Sequence, residues 1–250
     1  MRILLKISIY LLLLLLILGI LDFFVADDSF FQDYIRGTFT ETIGIIITLI
    51  LIEFILGQNR IKENQDKAKK NLIRAKNVIN IYLENYNDVA FNLAYKYNQY
   101  ENQRKIGLEK NFPFTNLSEL FLKSPSLFDD FNSTKVSSYF ERLDDLKKII
   151  RTTLFQTDLT DFPEISELLE SYLTEVEKYY PRDGILSDKN TKVGDTKTPD
   201  FVKEMIEKQT GKLEYLHSNM INKYIRLYEL INYHIEFNEK YNNLLEKNIN

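Results

Sequence analysis

Two apolar stretches near the N-terminus limit what this chain can become. Leu11 to Leu16 is an unbroken run of six leucines inside a longer apolar segment, about Ile7 to Leu21. A second segment runs from Ile43 to Leu56, interrupted only by Thr48 and Glu53. A helix of about 20 largely apolar residues crosses a bilayer, with a usable range of about 17 to 25. With their interfacial flanks the two segments cover residues 6–25 and 39–58, so each is long enough to span. The expectation is a transmembrane hairpin over residues 1–57, followed by a separate domain over 58–250.

A cleaved signal peptide is the rival reading of the first segment, because Arg2 and Lys6 precede it. A small-residue cleavage site is missing: Ala26 is the nearest candidate, and Phe24 stands two residues before it. The first helix is therefore read as retained.

Charge sets the expected topology. Arg2 and Lys6 lie before the first span. Asp22, Asp27, Asp28, Asp33 and Glu41 lie between the spans, opposed only by Arg36. Arg60, Lys62, Lys67, Lys69, Lys70, Arg74 and Lys76 follow the second span, against Glu63 and Asp66. Lysine and arginine stay on the cytoplasmic side. Both termini are thus expected in the cytoplasm, with the loop 22–37 on the outer face and Phe23, Phe24, Phe30, Phe31 and Tyr34 at the interface. The predicted location is the inner membrane of a bacterial cell, crossed twice. The juxtamembrane cations could also meet anionic lipid headgroups.

Three residues of the second span are candidate functional positions. Gly44 and Thr48 have the small-xxx-small spacing that lets membrane helices approach closely. Glu53, one turn inside the cytoplasmic end, is a carboxylate where charge is costly. It is read either as a pore-lining or oligomer-contact group, or as an interfacial group paired with Lys6 or Arg60.

The domain that follows reads as all-α. Only 5 prolines and 8 glycines occur in the 250 residues of the chain. Ile61, Ala68, Ala75, Tyr82 and Val89 recur every seventh position, and Leu72, Ile79, Tyr86, Leu93 and Tyr100 form a second series. This coiled-coil-like stripe predicts a helix over 58–108. Phe112-Pro113-Phe114 ends it, and Asn116 could cap a short helix. Phe112, Phe114, Phe121, Phe128 and Phe131 are expected to plug one end of the bundle. Further helices are predicted over 134–156, over 162–180 with Pro163 inside its start, and over 199–246 with a bend at Gly211. Residues 182–198, polar and containing Gly184 and Gly194, are expected to be a flexible loop. The sum is a bundle of about four helices.

Catalytic chemistry is hard to find. The absence of cysteine removes disulfides, thiolate nucleophiles and zinc–thiolate sites. The only two histidines, His217 and His234, lack the three- or four-residue spacing of a helical metal pair. Arg226 stands too far from His234 for the Arg–His spacing of the helical ribonucleases of prokaryotic defence systems. Acid pairs such as Asp129/Asp130 and Asp144/Asp145, and the glutamates of 164–177, read as solvated faces. Tyr95, Tyr97 and Tyr100 near Arg104 and Lys105 could stack bases, but they belong partly to the core stripe, so nucleic acid is not expected as a partner. No enzyme, cofactor or metal is predicted. Membrane lipids, a second copy of the chain, or a cytoplasmic protein are the expected partners.

The stretch from Glu41 to Gly57, running into the basic helix from Arg60, resembles uncharacterised prokaryotic membrane proteins with two spans and a cytoplasmic helical domain. There a Gly-Ile-x-x-Thr pattern precedes an acidic residue near the end of the second span. Gly44, Ile45, Thr48 and Glu53 match, with Glu where Asp is more usual. Such architectures are similar to membrane effectors of bacterial anti-phage systems, including retron systems. The resemblance implies an effector or sensor that perturbs the inner membrane. The competing expectation is a passive membrane scaffold or accessory subunit.

Overall fold

A computed structural model describes residues 2–24, 30–96, 107–124, 132–217 and 219–249, with the side chains of 2–6, 8, 21–24 and 30–32 outside the description. The readings of Asp27, Asp28, Tyr97, Tyr100, Arg104, Lys105, Phe128, Asp129, Asp130 and Phe131 lie outside the described residues. So do the side-chain readings of Arg2, Lys6, Asp22, Phe23, Phe24, Phe30 and Phe31. The chain is mostly helical and of the all-α class. Its helices are α1 (Arg2–Phe24), α2 (Phe30–Ala94), α3 (Lys135–Gln156), α4 (Pro163–Glu177), α5 (Arg182–Asp188), α6 (Thr198–Glu207) and α7 (Asn222–Ile249). A 3-10 helix, Phe114–Glu119, and a minimal hairpin of β1 (Lys192–Val193) and β2 (Thr196–Lys197) complete the described elements. Two compact units divide the chain, Met1–Lys67 and Ala68–Asn250, and α2 contributes to both.

In the first unit α1 lies against α2 where a Cβ added to Gly19 would stand 4.0 Å from the Phe39 ring. The least exposed α2 positions here are Ile35, Thr38, Phe39, Thr42, Ile46, Leu49, Glu53 and Gly57. Their spacing of one, three and four residues is that of a single helix stripe. Leu11, Leu15 and Leu18 form the corresponding half-buried stripe of α1. The other described large apolar side chains of the unit are exposed, mostly Leu and Ile with Tyr10, Tyr34 and Phe54 among them.

The second unit inverts this pattern. Its α2 segment buries Ala68, Leu72, Ala75, Ile79, Leu83, Tyr86, Val89, Ala90 and Leu93. The strict seven-residue reading is corrected in two ways. Ile61 is exposed, so the stripe opens at Ala68, and Leu83 and Ala90 join it because a straight helix of 3.6 residues per turn drifts off a heptad. The helix also stops at Ala94, short of the expected 108. No breaker marks that point. Asn116 donates its side-chain amide to the Ala94 carbonyl at 2.6 Å, capping α2 instead of starting a new helix. The Tyr95 hydroxyl accepts the Glu109 backbone N–H at 3.2 Å.

Helix α3 opens on a capping box formed by Thr134 and Ser137, and α4 opens on Pro163 at its first turn. Residues 182–198 are not the flexible loop the composition suggests. Arg182–Asp188 is helical, Ile185 is fully buried, and the Thr191 and Thr198 hydroxyls clamp the β-hairpin base at 2.8 Å. Gly194, at φ 61°, supplies the left-handed residue that the tight turn needs. The helix expected over 199–246 is two helices. Between them the Asn222 side chain takes both the N–H and the carbonyl of Leu216, and the Asn219 side chain accepts the Ile221 N–H at 3.0 Å. These local bonds compete with the helix ladder, and the bend expected at Gly211 is a full break.

Helix α7 is the centre of the bundle. Tyr224, Ile225, Leu227, Leu230, Ile231, His234, Ile235, Phe237, Tyr241 and Leu245 are buried on it, covering most of its circumference. Helix α4 packs along it, and α5 and the 3-10 helix also contact it.

Candidate functional site

The candidate site is a surface, that of the first unit. Its outward positions are Leu, Ile and Phe: Leu16 is 61% exposed, Ile50 58% and Phe54 64%. Among the described residues, one helix is long and apolar enough to cross a membrane, within Asp33–Ala94, while the described apolar part of α1 is the shorter Ile9–Ile20.

The threonine hydroxyls of this unit are satisfied within their own helix. The hydroxyls of Thr38, Thr40, Thr42 and Thr48 each donate to the carbonyl four residues earlier, at 2.7–2.9 Å. That bond returns a hydroxyl to its own helix and lowers the cost of placing it in a medium without water.

The three predicted span positions separate into two faces. Gly44 and Thr48 are exposed, and a Cβ at Gly44 would meet nothing within 4 Å. At about 100° per residue Gly44 lies roughly opposite the stripe of Ile35, Thr42 and Glu53 that faces α1. Together with Glu41, Ile45 and Leu49, Gly44 and Thr48 line an open groove of about 430 Å³. Glu53 belongs to the other face, half-buried on the stripe with Leu49 and Gly57. The structure therefore does not bring Glu53 together with Gly44 and Thr48. The basic residues continue along α2: Arg60, Lys62, Lys67, Lys69, Lys70 and Arg74 are exposed and Lys76 is half-buried.

The second unit holds a polar cluster that spacing could not reveal, because four helices supply it. His234 is 1% exposed, with Nε2 2.8 Å from Asn87 Oδ1 and Nδ1 3.0 Å from the Tyr172 hydroxyl. The Asn87 oxygen can only accept, so the ring carries its proton on Nε2 and accepts the tyrosine proton at Nδ1. Burial pulls the His234 pKa down to about 3, so the ring is neutral at ordinary pH. It packs on the Tyr86 ring at 4.1 Å, and the Tyr86 hydroxyl donates to that of Tyr139 at 2.8 Å. Burial raises the pKa of Tyr86, Tyr139 and Tyr172. These groups are closed to solvent and mutually satisfied, which makes the cluster a core network. His217 lies elsewhere, exposed.

Two further networks fix helix ends. Asp144 accepts from the Tyr180 hydroxyl at 3.0 Å and pairs with Lys147 at 3.0 Å and Arg182 at 3.1 Å. Arg226 donates to the carbonyls of Glu175 and Lys178 at 2.7 and 2.8 Å, closing the C-terminus of α4. Asp144 and Arg226 thus tie helices together, while Asp145 pairs with Arg142 on its own helix. Among the described residues no group of three His, Cys, Asp or Glu is placed to hold a metal ion. Compared with sequence families, characterised proteins and solved structures, the chain matches none.

Proposed function

We propose that the protein is a two-span membrane protein whose residues 68–250 form a cytoplasmic, non-enzymatic helical domain acting as an effector or sensor. One observation carries this reading: the first unit turns its leucine and isoleucine side chains outward on nearly every side. Fully burying one such side chain is worth about 1.5–3 kcal/mol, so a surface of more than a dozen demands an apolar surround. The internally bonded threonines support the same surround. Orientation follows from charge: cations flank the spans at Arg2, Lys6 and from Arg60 onward, and acids dominate between them. Both termini are then cytoplasmic, in a bacterial inner membrane if the resemblance described above holds.

That resemblance favours an effector that permeabilises the membrane in anti-phage defence, over a passive scaffold that holds a cytoplasmic partner. In this role the open Gly44/Thr48 groove is the helix-contact face between copies, and Glu53 is the pore-lining or oligomer-contact carboxylate. The test is uptake of a membrane-impermeant dye after induction, with alkaline extraction of membranes as a control for residence. Extraction-resistant protein with dye uptake supports the effector. Extraction-resistant protein that never admits dye, alone or beside its genetic neighbours, leaves the scaffold. Release by alkali overturns the membrane reading. Glu53→Gln is expected to change the dye signal without changing membrane content, and an unchanged signal would return Glu53 to an interfacial role.

A further inference from the structure

Helix α4 carries Glu164, Glu167, Glu170, Glu175 and Glu177 and neither Lys nor Arg. Three of these acids are paired within the chain: Glu164 with Lys247, Glu175 with Arg226, and Glu177 with Lys147 and Arg151. Glu167 and Glu170 have no ion pair among the described residues, and Glu170 is exposed. Both stand on a groove. One cavity of about 480 Å³ is lined by Leu154, Leu159, Pro163 and Glu170 together with the polar Thr157, Asp158, Thr160 and Ser166. A second of about 500 Å³ continues past Glu167 to Tyr233 and shares Glu170 with the first.

The complementary surface is on the same chain. In the second unit α2 turns Lys70, Ile73 and Arg74 outward, at positions i, i+3 and i+4, with Lys69 beside them. None of these cations has an ion pair among the described residues. Ile73 is 37% exposed, an apolar knob between two cations. Neither surface can satisfy the other within one molecule. Helix α2 meets α3 through Tyr86 and Tyr139 and α7 through Asn87 and His234, while α4 packs on α3 and α7 from its own side. With α3 and α7 between them, the outward faces of α2 and α4 look in different directions.

We propose that this chain associates head to tail with copies of itself, the α2 face Lys70–Ile73–Arg74 of one copy entering the α4 groove of the next. Lys70 and Arg74 then meet Glu170 and Glu167, and Ile73 lies against Leu154, Leu159 and Pro163 among the polar groups of the groove. Such a contact is heterologous: each copy uses one face as donor and the other as receiver, and repetition gives a ring or an open chain. The contact lies wholly within residues 68–250 and does not depend on the membrane reading. If that reading holds, copies anchored in one membrane are related by rotation about its normal, the arrangement that closes a ring.

The experiment uses the full chain in detergent, with particle mass measured from about 0.05 M to about 1 M salt, over which the Debye length falls from beyond about 10 Å to about 3 Å. The wild type should be multimeric at low salt and lose at least half its particle mass at high salt. Glu167→Lys/Glu170→Lys and Lys70→Glu/Arg74→Glu should each be single-copy at low salt, with helical content and melting temperature like the wild type. Mixing the two variants should restore assembly, because each supplies the face the other now needs. A wild type that is single-copy at every salt concentration overturns the proposal. So does a multimer that both variants preserve, or a mixture of folded variants that stays apart. Detergent-free solubility of the chain would refute membrane residence without touching this outcome.

Discussion

The two units place the same kind of residue on opposite sides of their helices. In Met1–Lys67 aliphatic side chains face out and the helix contact includes Gly19 and Thr42. In Ala68–Asn250 they face in, around Tyr86, Tyr139, Tyr172, Tyr224 and Tyr241, all fully buried. The difference is one of solvent. A tyrosine in the second unit keeps a hydroxyl that needs a partner, and each of the first four finds one: Tyr139, Tyr86, His234 and Asp188 respectively. Among its described residues the first unit has no such network and returns its threonine hydroxyls to its own backbone. A core shielded from water can be built from polar pairs, whereas an apolar surround rewards helices that need no partner for their polar atoms.

Substitutions probe that contrast, beginning with the largest effect. Leu169→Ala, fully buried on α4, should cost about 2–5 kcal/mol of the second unit's stability, while Leu12→Ala on the outward face of α1 should change it by less than about 0.5 kcal/mol. Denaturant melts of the full chain in detergent measure both, and equal losses would erase the distinction between the units. Ile47→Lys puts a charge on the exposed face of α2, 53% accessible, at a cost of about 2.5–3.5 kcal/mol in hydrocarbon and almost nothing in water. Membrane fractionation should show a lower membrane-bound share, and an unchanged share would place this face in water.

His234 sharpens the second unit's side of the comparison. Its folded pKa is about 3, against about 6.5 for a free histidine. The unfolded chain therefore binds the proton that the folded one refuses. The stability linked to this is present above about pH 6.5 and is lost as pH falls toward 3, by roughly 1 kcal/mol per pH unit. His234→Gln should flatten the slope of melting free energy between pH 7 and pH 5, and a slope unaltered by the substitution would assign the acid sensitivity elsewhere. The smallest effect is expected at Tyr179, 79% exposed at φ 55° just past α4. Tyr179→Gly removes a left-handed strain and should raise stability by about 0.5–1 kcal/mol, read as a higher melting midpoint.

Much of the helical frame was readable from residues alone. Val136, Tyr139, Phe140, Leu143, Leu146 and Ile150 form one buried face of α3, and Ile165, Leu169, Tyr172 and Val176 one of α4, because burial on a helix leaves a 3.6-residue trace. What escaped was decided by contacts between distant residues. Asn116 ends α2 from 22 residues away, and Asp188 and Ile185 hold residues 182–198 against α7 although their neighbours are polar. Helix α7 carries the same trace, with Tyr224, Leu227, Ile231, Ile235 and Leu245 buried opposite Arg226, Glu229 and Glu236, but periodicity gave no hint that its histidine meets Asn87 and Tyr172. For the candidate surface, the sequence located Gly44, Thr48 and Glu53, and nine residues at about 100° each already set Gly44 opposite Glu53; the structure adds that Glu53 lies on the half-buried stripe and Gly44 on the exposed face.

The central position of α7 has a consequence for synthesis. The α2 stripe that α7 helps cover is made first, and His234 follows Asn87 by 147 residues. At about 5–20 residues per second this interval is on the order of ten seconds. For that time Leu72, Ile79 and Leu83 emerge from the ribosome without the helix around which the bundle is built. The nascent chain is thus held in an unfinished state, open to whichever chaperone or neighbouring nascent copy reaches it first.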